Sequence, residues 1–79
     1  MADNEVARAA RKEAMDLIAQ NNKDIGRLIE EKATYVEQMT ASDVGEMSLQ
    51  MLSYHYSLID DEIGVLRNEN RKLVALMAA

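Results

Sequence analysis

His55 is the only histidine in the chain, and histidine is the side chain most often used for metal binding or proton transfer near neutral pH. Metal sites in helical bundles usually pair such a histidine with a glutamate three residues earlier on the same helix. The residues three and four positions before His55 are Leu52 and Met51. The sequence therefore predicts a structural or surface role for His55 and no metal site.

Charged residues cluster at two other places. Asp60, Asp61 and Glu62 form an acidic run, which is typical of a solvated helix face; a weak cation site or an acidic patch for a basic partner is the alternative. A basic cluster near the N-terminus is diluted by neighbouring acidic residues, which disfavours a nucleic-acid-binding arm. Its members are Arg8, Arg11 and Lys12.

The sequence lacks the patterns of an enzyme: it has no glycine-rich phosphate loop, no nucleophile elbow and no base–nucleophile pair. Without cysteine, a disulfide or a thiolate metal site is excluded. The net charge of −5 argues against a nucleic-acid partner. Apolar runs fall far short of the ~20 residues of a membrane span, and no signal peptide is recognisable. We expect a cytoplasmic protein with no cofactor, no enzymatic activity and no membrane contact.

The strongest pattern in the chain is a heptad repeat of apolar residues, with spacings that alternate between three and four. In the C-terminal half the repeat comprises Leu49, Leu52, Tyr56, Ile59, Ile63, Leu66, Asn70, Leu73 and Met77. In the N-terminal half it comprises Ala14, Ile18, Asn21, Ile25, Leu28, Lys32, Tyr35 and Met39. We call these two rows the seam.

The seam and the composition together predict one domain over residues 1–79. Proline is absent and only three glycines occur, so helix is favoured almost throughout. We expect helix 1 at about 4–39, a turn at 40–43 and helix 2 at about 43–77. A break at Asn21–Asn22 is disfavoured because the apolar phase continues from Ile18 to Ile25. The predicted fold is all-α: an antiparallel, coiled-coil-like two-helix hairpin that assembles into a helical bundle.

The short turn predicts a register for the hairpin in which the numbers of two facing residues sum to about 84. This register keeps the polar residues of the seam apart, because Asn21 faces Ile63 and Asn70 faces Ala14. It pairs Ile18 with Leu66, Ile25 with Ile59, Leu28 with Tyr56, and Tyr35 with Leu49.

Helix 2 carries a further apolar row on the side away from the seam, which we call the outer stripe. A single hairpin cannot cover so large an apolar surface. The row is predicted to bind a partner, either further copies of the chain or a helix of another protein. The two rows of helix 2 could also exchange roles, with the Leu52–Leu73 row between chains. The outer stripe consists of Val44, Met47, Met51, Tyr54, Leu58 and Val65.

The pattern favours a non-catalytic protein–protein interaction module, homo-oligomeric and acting as an assembly, adaptor or chaperone-like protein. This plan resembles small two-helix bundle proteins and small secretion or assembly chaperones. A small acidic inhibitor of the viral or plasmid type, which blocks a basic surface of its target, is the alternative.

Overall fold

A computed structural model describes the backbone of residues 2–78 and the side chains of residues 4–78. It contains two helices, α1 (Ala2–Met39) and α2 (Glu46–Ala78), which pack against each other. The predicted all-α helical hairpin is confirmed. Helix α1 runs through Asn21–Asn22 without a break.

The connection between the helices spans residues 40–45, so α2 begins three residues later than the sequence pattern predicts. Thr40 closes α1: its Oγ1 donates to the carbonyl oxygens of Val36 and Glu37, at 3.0 and 3.1 Å. At the other end, the Leu49 amide donates to the Gly45 carbonyl at 2.8 Å. Gly45 is therefore the N-cap of α2, a position where glycine is well tolerated.

The predicted register is wrong by one heptad. Asn21 hydrogen-bonds to Asn70, rather than facing Ile63, and Lys32 pairs with Asp60. Facing residue numbers thus sum to about 91. A shift of seven residues preserves the phase of both rows, so the apolar pattern fits either register equally well. The longer connection and the pairing of the buried Asn21 amide with the half-buried Asn70 favour the observed register, because an unpaired buried amide costs about 1–3 kcal/mol.

This register staggers the two helices along their common axis. The molecule is 66 Å long, whereas the 38 residues of α1 span only about 57 Å at 1.5 Å per residue. The first turns of α2 therefore extend past the end of α1, and the first turns of α1 extend past the end of α2. Leu49 lies in one of these extensions and is 40% exposed.

Candidate interaction surfaces

The hairpin core is thin. The buried cluster consists of Ile25, Leu28 and Ile63, with Ile59 and Leu66 packed against it. Ala14 and Asn21 of the seam are also buried, each to 7% exposure. The remaining seam residues are half-buried, except for the exposed Leu49: they are Ile18, Lys32, Tyr35, Met39, Leu52, Tyr56, Asn70, Leu73 and Met77. A seam with so few buried residues leaves most of the apolar surface of both helices uncovered.

The outer stripe lies on the side of α2 that faces away from α1. Val44 is half-buried, whereas the other five residues are exposed, from 46% for Leu58 to 79% for Met47. Met47 and Met51 belong to the turns of α2 that extend past α1. Val44 was predicted on helix 2 but lies in the connection, because α2 begins only at Glu46. The stripe is thus an apolar ridge that a single hairpin leaves accessible along more than half of α2.

A polar layer interrupts the seam near its open end. The Asn21 Nδ2 donates to Asn70 Oδ1 at 2.9 Å, and Asn70 Nδ2 donates to Asn22 Oδ1 at 2.9 Å. Asn21 is buried to 7% exposure and Asn70 is half-buried. Sequence reasoning identified both residues as polar members of the seam but placed them apart. Each asparagine interrupts the apolar seam row of its own helix, and this common feature was the sequence signal that could have paired them.

Lys32 is the third polar member of the seam, after Asn21 and Asn70, and it forms an ion pair between the two helices. Its Nζ lies 2.7 Å from Asp60 Oδ1 and 4.9 Å from the centre of the Tyr56 ring. The hydrogen bond to the Asp60 carboxylate raises the pKa of Lys32 above its ordinary value, while partial desolvation opposes the shift. The acidic run of residues 60–62 is exposed, and one of its three charges is thereby paired within the chain.

His55 lies on the exposed side of α2 and contacts aromatic rings. Its imidazole stacks on the Tyr35 ring with centroids 5.9 Å apart, and the Tyr54 ring meets it edge-on at 5.8 Å. Among the described residues, no group of three or more histidine and acidic side chains is arranged to hold a metal ion. The contacts of His55 are therefore packing contacts that connect the seam residue Tyr35 to the outer-stripe residue Tyr54.

An apolar groove of about 430 Å³ lies at the open end of the hairpin. It forms where the N-terminal turns of α1 extend past α2, so its existence depends on the register and sequence reasoning missed it. Small residues of α1 line one wall, and the last turns of α2 line the other. Its apolar lining includes Ala10, Ala14, Leu17, Leu73, Leu76 and Met77.

Neither helix, over residues 2–78, is long and apolar enough to cross a membrane. No protein-family model, curated protein or solved structure matches the chain. Function is therefore inferred from the surfaces described above.

Proposed function

We propose that this protein is a non-catalytic interaction module that acts as a homo-oligomeric helical bundle in an assembly, adaptor or chaperone-like role. The observation that carries the proposal is the exposed outer stripe of α2. Soluble monomers rarely leave a contiguous apolar surface of this size in water. A surface formed by large apolar side chains on one face of a helix is suited to packing against another helix.

The total surface of the hairpin supports association. A compact monomer of 8.9 kDa is expected to expose about 4,800 Å², whereas the single hairpin exposes 6235 Å². The excess is larger than the ~800 Å² that each partner buries in a standard protein–protein interface. Small chains without disulfides or metals commonly gain stability by associating in this way.

The side chains of the outer stripe favour a helical partner. Met47 and Met51 are 79% and 62% exposed, and methionine side chains repack around differently shaped apolar surfaces. An amphipathic helix laid along the stripe would contact residues spaced three and four apart, as in known helix-in-groove complexes. A cytoplasmic location belongs to the same proposal, since a chain without cysteine needs no oxidising compartment.

The test combines solution mass with partner capture, using the double variant Met51→Glu, Leu58→Glu. An unpaired charge in a dry contact is strongly disfavoured, so the variant is expected to lose partners that bind the stripe. Its circular dichroism should stay helical because the seam is unchanged. The matched control is Thr34→Glu, Ser48→Glu, which adds the same charge at exposed polar positions outside the stripe.

The measurements are sedimentation equilibrium and capture from a native extract, with all three proteins compared. If the stripe variant keeps the wild-type mass and every captured protein, the stripe is not the contact surface. Loss of captured proteins at unchanged mass would make the stripe a dedicated docking surface. Loss of both would mean that self-association and partner binding use one surface.

The acidic inhibitor is the competing hypothesis, and salt separates the two. Binding through acidic residues should weaken steeply as ionic strength rises, whereas apolar helix packing should not. The acidic residues divide between both helices, with net charges of −2 before Thr40 and −3 from Thr40 onward. The pairing of Asp60 with Lys32 removes one further charge from the most acidic segment, so the interaction module is favoured.

A further inference from the structure

Gly26 and Gly64 have no evident role within the hairpin. Both lie in the interior of a helix, where glycine is less favourable than every residue except proline. Neither has a positive φ angle, and a Cβ added at either position would meet no atom within 4 Å. A Cβ at either position would therefore meet no steric obstacle in a single hairpin, so packing within the hairpin does not explain the glycines.

The two glycines lie on the same face of the hairpin and at nearly the same level. The contacts of Lys32 with Asp60 and of Met39 with Ser53 set the register on this side. They place Gly64 within about two residues, or roughly 3 Å, of the level of Gly26. In an antiparallel pair the heptad positions of the two glycines flank the same side of the seam. We call this side the glycine face.

Along α1, the residues of the glycine face are similar at equal distances before and after Gly26. Ala19 lies seven residues before it and Ala33 seven residues after it, and all three residues are exposed. Large exposed residues border this small row, Met15 before Gly26 and Val36 after it. An antiparallel second copy centred on Gly26 would set Ala19 against Ala33, and Met15 within one residue of the level of Val36. Such self-complementarity is what a two-fold symmetric interface requires.

The same two-fold axis makes α2 complementary in charge. With Gly64 on the axis, Asp60 of one copy lies within one residue of the level of Arg67 of the other, and the pair occurs twice. Asp60 already accepts a hydrogen bond from Lys32 through Oδ1. A carboxylate has a second oxygen, and an arginine can bind there without displacing the lysine. Arg67 is exposed in the single hairpin, as this contact would require.

We propose that two copies of this chain associate through their glycine faces, with Gly26 and Gly64 on the two-fold axis, to form an antiparallel four-helix bundle. The small side chains let the facing helices approach closely. The helices overlap over roughly 40 Å at 1.5 Å per residue, and the face is about 20 Å wide at ordinary helix spacing. About 800 Å² per copy is therefore available, which is what a stable dimer needs.

This inference rests on the proposed function, because it assumes that hairpins associate, and it assigns that association to one face. The outer stripe of α2 lies on a different side and stays accessible in such a dimer. Self-association and partner binding then use separate surfaces, and the dimer presents two outer stripes.

Single cysteines test the symmetry directly, because the natural chain has no cysteine. A cysteine on the two-fold axis lies beside its own copy, within the short Cα separation that a disulfide requires. Under mild oxidation, Gly26→Cys should form a covalent dimer roughly tenfold or more faster than the control Met51→Cys. Ala19→Cys and Ala33→Cys should cross-link poorly alone and efficiently when mixed, since each faces the other across the axis.

A bulky residue on the axis provides the second measurement. Gly26→Leu should keep or raise the helical circular dichroism, because leucine favours helix and the residue is exposed, with no atom within 4 Å of an added Cβ. Its sedimentation mass should fall from that of two chains to the 8.9 kDa of one. The matched control Gln20→Leu adds the same side chain at an exposed position of α1 outside the glycine face and should keep the wild-type mass.

Suppose that the wild type is a dimer, that Gly26→Leu keeps the dimer mass, and that Gly26→Cys cross-links no faster than Met51→Cys. This result would rule out the glycine face as the dimer interface but would leave self-association intact. A wild-type chain that is monomeric at concentrations up to about 100 μM, where a weak interface of micromolar Kd would already be occupied, would overturn self-association as well. If Gly26→Leu fails to fold, the cross-linking rates alone decide.

Discussion

At the scale of single residues, the asparagine layer sets which turns of the two helices meet. Asn21 is 7% exposed and bonds to Asn70, which in turn bonds to Asn22. A register shifted by one heptad from the observed one would leave at least one of these amides facing an aliphatic side chain. A single polar layer in an apolar seam is a known determinant of register in coiled coils.

Replacing one member of this layer should therefore cost more than replacing two. Asn70→Leu leaves the buried Asn21 amide without its partner, and we expect the free energy of unfolding to fall by about 1–3 kcal/mol. The double variant Asn21→Leu, Asn70→Leu should recover that loss but populate a second register. Urea unfolding at a fixed protein concentration measures the first effect. A loss in the double variant equal to the sum of the losses of Asn21→Leu and Asn70→Leu alone would mean that the two residues are not coupled.

The Lys32–Asp60 pair gives the molecule a pH dependence at the alkaline end. Because the pKa of Lys32 is raised in the folded chain, the pair stabilises the hairpin fully below the lysine pKa of the unfolded chain, about 10.4. The contribution is lost as the pH rises through the higher folded-state pKa. The difference in unfolding free energy between wild type and Lys32→Met should thus shrink above about pH 10.4.

Urea titrations at neutral and strongly alkaline pH provide this measurement. Asp60→Asn is the control, because it removes the same ion pair by neutralising the carboxylate. The difference in unfolding free energy between wild type and Asp60→Asn should shrink over the same alkaline pH range. A difference that stays constant across the alkaline range would show that Lys32 does not titrate in its folded environment.

At the scale of the helices, the stagger decides which seam residues are core. Ile63 is 3% exposed within the buried cluster, whereas Leu49, in the same heptad row, is 40% exposed. The difference arises because α1 ends at Met39, level with the second turn of α2. The heptad position of a residue alone therefore does not predict how far its side chain is buried.

Alanine substitutions along this row should follow the stagger. Ile63→Ala is expected to cost about 2–5 kcal/mol, as is usual for truncation of a buried isoleucine. Leu49→Ala should cost about 1 kcal/mol or less, because surface truncations are mild. Chemical denaturation of both variants under identical conditions tests the ordering. A larger loss for Leu49→Ala would restore the register in which Tyr35 faces Leu49.

At the scale of the whole molecule, the main feature is how little apolar surface the single hairpin buries. Four hydrophobic residues are buried among the described side chains, and thirteen large ones are exposed. A core this small contributes little beyond the conformational entropy that folding loses. Association is the available way to remove more apolar surface from water.

Stability should therefore depend on protein concentration. If folding and association are linked, Tm rises with concentration, since mass action favours the assembled folded state. Differential scanning calorimetry over a hundredfold range of concentration measures this dependence. Gly26→Leu, which is expected to be monomeric, should show a constant Tm over the same range. A constant Tm for the wild type would contradict linked association.

Much of the fold was predictable from local pattern. Helix content, the single interruption after Met39 and the phase of both apolar rows follow from residues three and four apart, which share a helix face whatever the helix packs against. The outer stripe, including Met51 and Leu58, was predicted for the same reason. Its exposure on the single hairpin follows from its being on the opposite side from the seam.

The register, the pairing of Asn21 with Asn70, the ion pair of Lys32 and the groove at the open end were decided only by the tertiary structure. A heptad repeat is unchanged by a shift of seven residues, so the sequence by itself determined which faces of the two helices meet but not which turns. The connection of residues 40–45 and the requirement that buried amides find partners distinguish the registers. Both depend on how the two helices lie against each other, and neither is contained in the periodicity of either helix alone.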